Sequence, residues 1–492
     1  MATVAKAAVL GVSVALGVSP AQGDQATARA EVKKAIAAAD AKDQIAAYNA
    51  IQNAVADSGF AALDTRTQHA ALELAYLSAY KAKDFDQAHK FSSQATTLPE
   101  QVAQDWSYRL YSAAQINDGG DEALSISRMV KLWGANAAGT ESIRRAFRDT
   151  RSAQLSAARK EMLLALYDVR WRPADATSAS RIWLTLSLLL LESNDVAKAA
   201  QVVSLVDDPT DVIAMHADRR YKQLLNAPYF ESNAHDAART RIKVLRHHLE
   251  ENPRSLAAVL LLTQSLLSSR EDQEALEITT QADLKIAEAP ATAKPFDDVE
   301  INHPWILNAK SSALRHLGRF EDAARELRRA YDLPHPADSV SHAINLAFML
   351  CELDRPDEAL SLLPKMDDAS DYGKAQIALV ELTAATEKRD SLSRQQNLDY
   401  LRDHAQIGPT TYQRALLIAE EFGKAEAFML TRLADPEMRT DALVELQVYA
   451  PRKYPPKAQV WQAESEKLKA APSIQQAVAA VGAIGHYTWR ND

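Results

Sequence analysis

The sequence has one cysteine, Cys351, so no internal disulfide can frame the fold. There are only 14 glycines in 492 residues, and three of them (Gly11, Gly17 and Gly23) fall in the first 23. Few turns are therefore expected to need a positive φ. Aromatic residues make up 7%, too few to line an extended sugar-binding cleft. No long basic run tracks a phosphate backbone, and the formal charge is −9, which argues against nucleic acid as a partner. No apolar run reaches the ~20 residues that span a bilayer. There is no HExxH, no CxxC and no acidic calcium loop, and Gly373-Lys374 lacks the upstream glycine of a phosphate-binding loop, so no metal and no cofactor is expected.

What is present is mostly alanine, leucine and charge. Apolar residues make up 47% of the chain, and the commonest of them are strong helix formers. A single core stops growing near ~250–300 residues, so this chain is either several domains or an elongated array built by repeating one unit. The amino terminus carries Lys6, an apolar stretch over Ala7–Val18, and small residues at Ala21 and Gly23. That pattern predicts a signal peptide over 1–23, cleaved near Gly23, and a periplasmic or secreted product that does not span the membrane after cleavage.

Self-similarity decides between the two architectures. The short motif Asp84-Phe85-Asp86-Gln87-Ala88 returns as Asp195-Val196-Ala197-Lys198-Ala199, as Arg319-Phe320-Glu321-Asp322-Ala323 and as Arg355-Pro356-Asp357-Glu358-Ala359. Weaker copies end at Ala123 and Ala275, and Phe422 precedes Ala425 by the same three residues. The first six alanines are spaced by 35, 76, 76, 48 and 36 residues. A small residue at each anchor lets two helices approach closely, and large residues such as Trp183, Leu186 and Leu190 fill the gap to the next pair. Asp84 followed three residues later by Gln87 has the spacing of a capping box. On these residues the chain resembles the tetratricopeptide repeat family, whose period is ~34 residues. In that light the spacings of 76 are two units each, one of them degenerate, and the 48 carries an insertion.

The resemblance implies an all-α fold, a right-handed superhelical solenoid of antiparallel helix pairs with a helical C-terminal cap. The expected organisation is an N-terminal array over 24–288, a Pro-rich loop or hinge over 289–304, a C-terminal array over 305–450 and a cap and tail over 451–492. Trp461 is expected to pack inward in that cap. The tail His486-Tyr487-Thr488-Trp489 either docks on the cap or serves as an exposed ligand. The six leucines between Leu184 and Leu191 are too apolar for an open groove and are expected to be covered by an N-terminal segment or a partner.

In this family the first helix of each pair lines the concave face. The register then places Trp305, Asn308, Ser312, Arg315 and His316 in the groove of one unit, and Ser341, Ile344, Phe348 and Glu352 in that of the next. An aromatic anchor beside arginine, amide and hydroxyl groups suits an extended peptide. Trp305 has a second reading, as a lid over the preceding pair. No catalytic residues are expected. Glu141-Ser142 matches the opening of a lytic transglycosylase motif, but Ile143-Arg144-Arg145 comes next, where a glycine-rich stretch belongs. Glu141 is therefore read as a first-turn acid of a helix.

The expected function is a non-enzymatic scaffold or adaptor of the bacterial cell envelope that holds a protein or peptide partner in its groove. The alternatives are an accessory subunit of a polysaccharide-export or secretion assembly, and a glycan-processing enzyme on a helical superhelix. The sequence does not set the oligomeric state.

Overall fold

The computed structural model describes residues 23–224, 234–290, 293–333 and 339–487. The predicted signal peptide, up to residue 22, and the tail residues Thr488 and Trp489 lie outside the described residues. Two compact units divide between Trp171 and Arg172.

In the first unit the helices are α1 (Gly23–Asp40), α2 (Gln44–Ala56), α3 (Thr65–Lys81), α4 (Phe85–Ala95), α5 (Ala103–Gln115), α6 (Gly119–Trp133), α7 (Thr140–Asp149) and α8 (Ser156–Asp168). In the second they are α9 (Ser180–Glu192), α10 (Val196–Val203), α11 (Pro209–Ala217), α12 (Ala234–Glu251), α13 (Leu256–Ser268), α14 (Asp272–Ala287), α15 (Val299–His316), α16 (Phe320–Asp332), α17 (Ser339–Glu352), α18 (Pro356–Leu362), α19 (Asp371–Glu387), α20 (Ser391–Asp403), α21 (Pro409–Ile418), α22 (Phe422–Ala434), α23 (Pro436–Glu445), α24 (Ala458–Ala470) and α25 (Pro472–Val481). Each unit is all but entirely α-helical, built of helices that pack as successive antiparallel pairs, as the resemblance implies. Among the described residues, none of these helices is long and apolar enough to cross a membrane.

One backbone device repeats through nine turns among the described residues. In each, the residue two before the second helix has a positive φ: Lys42, Lys83, Asn117, Asn194, Arg270, Gly318, Asp354, Arg389 and Glu420. The next amide reaches back five residues to the first helix, as in Asp84 N to Ala79 O (2.9 Å) and Arg319 N to Leu314 O (2.8 Å). The positive-φ residue bonds three back, as in Lys83 N to Tyr80 O (3.1 Å). This pair of bonds is the Schellman motif, which satisfies carbonyls left over at the helix end. The expectation from glycine scarcity is thus overturned, because eight of these nine residues carry side chains. A left-handed residue costs about 1–2 kcal/mol, and two backbone hydrogen bonds at each turn offset that cost.

Side chains then start the second helix. Asp43, Asp84, Asp118, Asp195 and Asp390 each accept an amide of the following turn. Asp84 takes the Gln87 amide at 3.3 Å, as its spacing predicted. At α18 no side chain caps: Asp354 is the left-handed residue, Arg355 holds the cap position without a side-chain bond, and Pro356 opens the helix. The anchor alanines Ala88, Ala123, Ala199, Ala275, Ala323, Ala359 and Ala425 are all fully buried. The two 76-residue spacings hold α7 with α8, and α11 with α12, which lack this turn.

The predicted loop over 289–304 is shorter than expected. Helix α15 already begins at Val299 and carries Asn302, His303 and Pro304 within it. Pro304 sits in the second turn, where few intrahelical bonds are lost. Asp283 ties the flanks of this region together. It accepts from His303 (3.0 Å) and Lys310 (3.1 Å) on α15 and from Arg329 (2.8 Å) on α16. Burial alone would raise its pKa, but the hydrogen bonds from His303, Arg329 and Lys310 hold the carboxyl well below the usual range.

The leucine-rich stretch of α9 is covered by the next helices of its own chain. Leu184, Leu186, Leu190 and Leu191 are buried, α10 and α11 pack on α9, and the Tyr221 hydroxyl donates to the Leu184 carbonyl at 3.0 Å.

Within the second unit the last elements do more than cover α22. Strand β1 (Val448–Tyr449) pairs in parallel with β2 (His486–Tyr487), which docks the described part of the tail. Beside it α23 packs on α11, and Ala483 N donates to Ala217 O at 2.9 Å. Arg220 bridges Asp218 (2.7 Å) and Thr440 (3.0 Å), and Arg181 reaches Asp441 (3.0 Å). A Cβ at Gly482 would lie 2.0 Å from the Ala217 carbonyl oxygen, so only glycine permits this approach. The array in this unit therefore returns to its own first helices.

Candidate functional site

Helices α15, α17, α19 and α21 are the first members of four successive pairs, and they share one inner face. On α15 the residues Asn308, Ser312 and Arg315 follow helical spacing, as do Asn345, Phe348 and Glu352 on α17. The opposite faces hold Leu307, Leu314, Leu346 and Leu350, all buried. Hydrophobic burial on one side thus presents the polar stripe on the other.

These stripes meet around a cavity of about 260 Å³, which Gln376 of α19 and Arg414 of α21 also line. Small-molecule pockets usually run ~300–1,000 Å³, so this space suits one or two side chains of a larger ligand. Asn345 donates to Asn308 at 2.9 Å, and Gln376 to Thr411 at 2.9 Å. One Arg315 nitrogen reaches both Glu352 oxygens, at 2.8 and 2.7 Å. Glu352 is almost fully buried, so it needs this partner.

Arg414 is the unusual group. Its guanidinium lies 4.1 Å from the Phe348 ring centroid and 4.4 Å from that of Trp461 on α24. Its contact with Glu352 is long, at 3.4 Å, and its buried Nε has no hydrogen-bond partner. Protein surrounds it, yet 33% of the side chain remains open. Burial pulls its pKa down to about 10, against the pull of Glu352 and helped by Arg315 and Arg452. It stays charged at neutral pH, and two aromatic faces hold it in place.

The structure brings together Asn308, Ser312, Arg315, Phe348 and Glu352 as the register predicted. It separates two others. His316 turns away and its Nδ1 meets Asp272 of α14 at 2.9 Å. One residue beyond Arg315 is a rotation of about 100°, which carries the ring to the neighbouring helix. Trp305 does not line the cavity; its ring sits 4.6 Å from that of His342 on α17. Ile344 lines the cavity and Ser341 does not. Sequence reasoning missed Asn345, Gln376 and Arg414. Asn345 comes 37 residues after Asn308, as Glu352 comes 37 after Arg315, so the same register points to it. Arg414 lies where the repeat signature has faded, and nothing local marks it. Trp461 packs against the core as expected.

Other residues singled out by the sequence have structural places. Cys351 is buried in the core beside Ala347 and Leu350, and burial pushes its thiol pKa up. Glu141 is in the first turn of α7, its side chain 73% exposed, with Arg148 at 3.6 Å. An open carboxylate of this kind has no cavity around it to tune its chemistry.

No family model matches the sequence, and no curated protein matches it. Solved structures similar to this chain include the APC/C hetero-tetramer Cut9–Hcn1, at 10% identity and a TM-score of 0.29 over 92% of this chain and 96% of that one. Yeast Tom70 is similar at 11% identity and a TM-score of 0.23, over 85% and 100%. Naa15/Naa10 bound to HypK-THB is similar at 12% identity and a TM-score of 0.24, over 92% and 74%. The fold assignment stands on the repeated helix pairs and their turns.

Proposed function

We propose that this chain is a non-enzymatic scaffold or adaptor of the bacterial cell envelope, and that it holds an extended segment of a protein partner on the inner face of α15, α17, α19 and α21. The observation that carries this reading is the charged, incompletely bonded Arg414 at a cavity sized for side chains. The terminal nitrogens of its stacked guanidinium, which make only the long contact with Glu352, can donate to an incoming carbonyl or carboxylate. Asn308, Asn345 and Gln376 add amide groups that suit a peptide backbone, and Phe348 provides the aromatic wall. The envelope location is supported by the amino-terminal apolar stretch and its small residues before Asp24.

Affinity capture from envelope extracts tests the reading. The wild-type chain should retain a discrete partner, and Phe348→Ala with Arg414→Met should lower recovery at least ten-fold while leaving the helical signal unchanged. Equal recovery by both proteins would sink the proposal.

A further inference from the structure

The segment between β1 and α24 does not leave the groove empty. Residues Arg452-Lys453-Tyr454-Pro455-Pro456-Lys457 cross the C-terminal ends of the first helices of two pairs and lead to Trp461 on a third. Lys453 Nζ donates to the Leu317 carbonyl at the end of α15, at 3.3 Å. Its Cδ occupies space that a side chain at Gly318 would fill, 2.6 Å from where the Cβ would be. The φ of +80° at Gly318 and the passage of Lys453 make the same demand for glycine. Four residues on, the Lys457 amide donates to the Glu352 carbonyl at the end of α17, at 3.2 Å. The Lys457 ammonium pairs with Asp354 at 2.8 Å. Pro455 is buried between them, and Trp461 closes over Arg414.

The chemistry of this contact is specific. Helix C-termini carry partial negative charge, and two of them stand in a row here. Asp354 and the buried carboxylate of Glu387, which has no hydrogen-bond partner, add to it. An extended segment with cations four residues apart and prolines between them matches that row. Proline removes amides that would otherwise need partners, and it holds the chain extended.

From these contacts we propose that Arg452–Lys457 is a built-in strap that occupies one edge of the partner groove, and that the ligand reaching this edge is an extended, lysine- or arginine-bearing, proline-containing segment that displaces it. The proposal rests on reading the inner face as a partner groove. The Lys453 and Lys457 side-chain contacts are exposed or half-exposed, each worth about 0–1 kcal/mol, so a matching segment can compete with them while Pro455 and Trp461 stay packed. Release of the strap uncovers the Leu317 and Glu352 carbonyls and Asp354 together.

The test needs no knowledge of the partner. A fluorescent peptide with the sequence of residues 451–461 is titrated into the full chain and into the Lys453→Glu, Lys457→Glu double variant. The variant should bind the peptide at least ten-fold more tightly than wild type, and adding Asp354→Lys should abolish that gain. Equal affinity for wild type and the double variant, or binding by neither, overturns the strap. Should the variant fail to fold, hydrogen exchange on the wild type decides: saturating peptide should speed exchange of the Lys457 amide, and no change overturns the proposal. Because the peptide comes from the chain itself, a failed capture of a partner leaves this result standing, and captured partner with an unresponsive strap defeats only the strap.

Discussion

Arg109 in the first unit and Arg414 in the second both sit at a cavity and both lie against an aromatic ring. Arg109 lines a space of about 320 Å³ with Trp106, 5.1 Å from its ring centroid. But every arm of Arg109 is committed: Nε donates to Asp121 at 2.7 Å, one terminal nitrogen to Thr96 at 2.8 Å and the other to Asp121 at 2.5 Å. His89 completes the set on the same carboxylate at 2.8 Å. Arg414 has two rings, one long ion pair and an unbonded Nε. A half-buried arginine at a pocket thus fits a ligand site only when its hydrogen bonds are unspent. By that measure the first cavity is a brace between α4, α5 and α6, and the second fits the proposed partner site.

The largest effect should come from breaking the brace. Asp121→Asn leaves Arg109 and His89 without their anion and should cost about 3 kcal/mol in urea denaturation of the first unit. The pH dependence has a definite sign. Burial would raise the Asp121 pKa, yet the bonds from His89 and Arg109 bring it down to about 2. Its stabilisation is therefore present above the ordinary carboxylate pKa of 3.8 and lost as pH falls toward 2, and Asp121→Asn should flatten that limb.

Next in size is the direct contrast between the two arginines. Arg109→Met should cost about 2 kcal/mol, because it leaves Asp121 with His89 alone. Arg414→Met should change stability by only about 1 kcal/mol or less, since Glu352 keeps Arg315 and the methionine still fills the gap between Phe348 and Trp461. Similar losses for both substitutions would erase the distinction.

The smallest predicted change is at Glu387. Burial pushes its pKa up to about 7, with Asp354 and Glu352 adding to the rise and Lys457 opposing it. For an acid with a raised folded pKa, the folded state holds its proton longer, so stability declines as pH rises from 4.5 through about 7. Glu387→Gln should then raise the melting midpoint at pH 8 by about 2 °C and leave it nearly unchanged at pH 5.

The anchors of the fold were legible in the sequence because they are packing requirements. Ala88, Ala199, Ala323 and Ala359 must be small where helices touch, and no other residue size satisfies that contact. The groove residues Asn308, Ser312, Arg315, Phe348 and Glu352 were legible because helical periodicity carries them once one unit is placed. His316 failed because a one-residue error in register is a third of a turn. The nine left-handed turns were hidden because backbone groups close them, so Lys, Asn, Arg, Asp or Glu can occupy the position in place of glycine. Arg414 was hidden for a different reason: its environment is assembled from α17, α21 and α24, which are far apart in sequence. The return of α23 and of the residues after α25 to α11 is likewise a tertiary fact, marked in the chain by Gly482.

The proposed function depends on a partner occupying the inner face of the second unit. A photoreactive amino acid placed at Ser312, and as a control at Leu132 beside the saturated cavity of the first unit, tests that occupancy during expression in the native host. A discrete cross-linked protein from position 312, absent from position 132, is the expected result; cross-linking from 132 alone, or from neither position, would refute it.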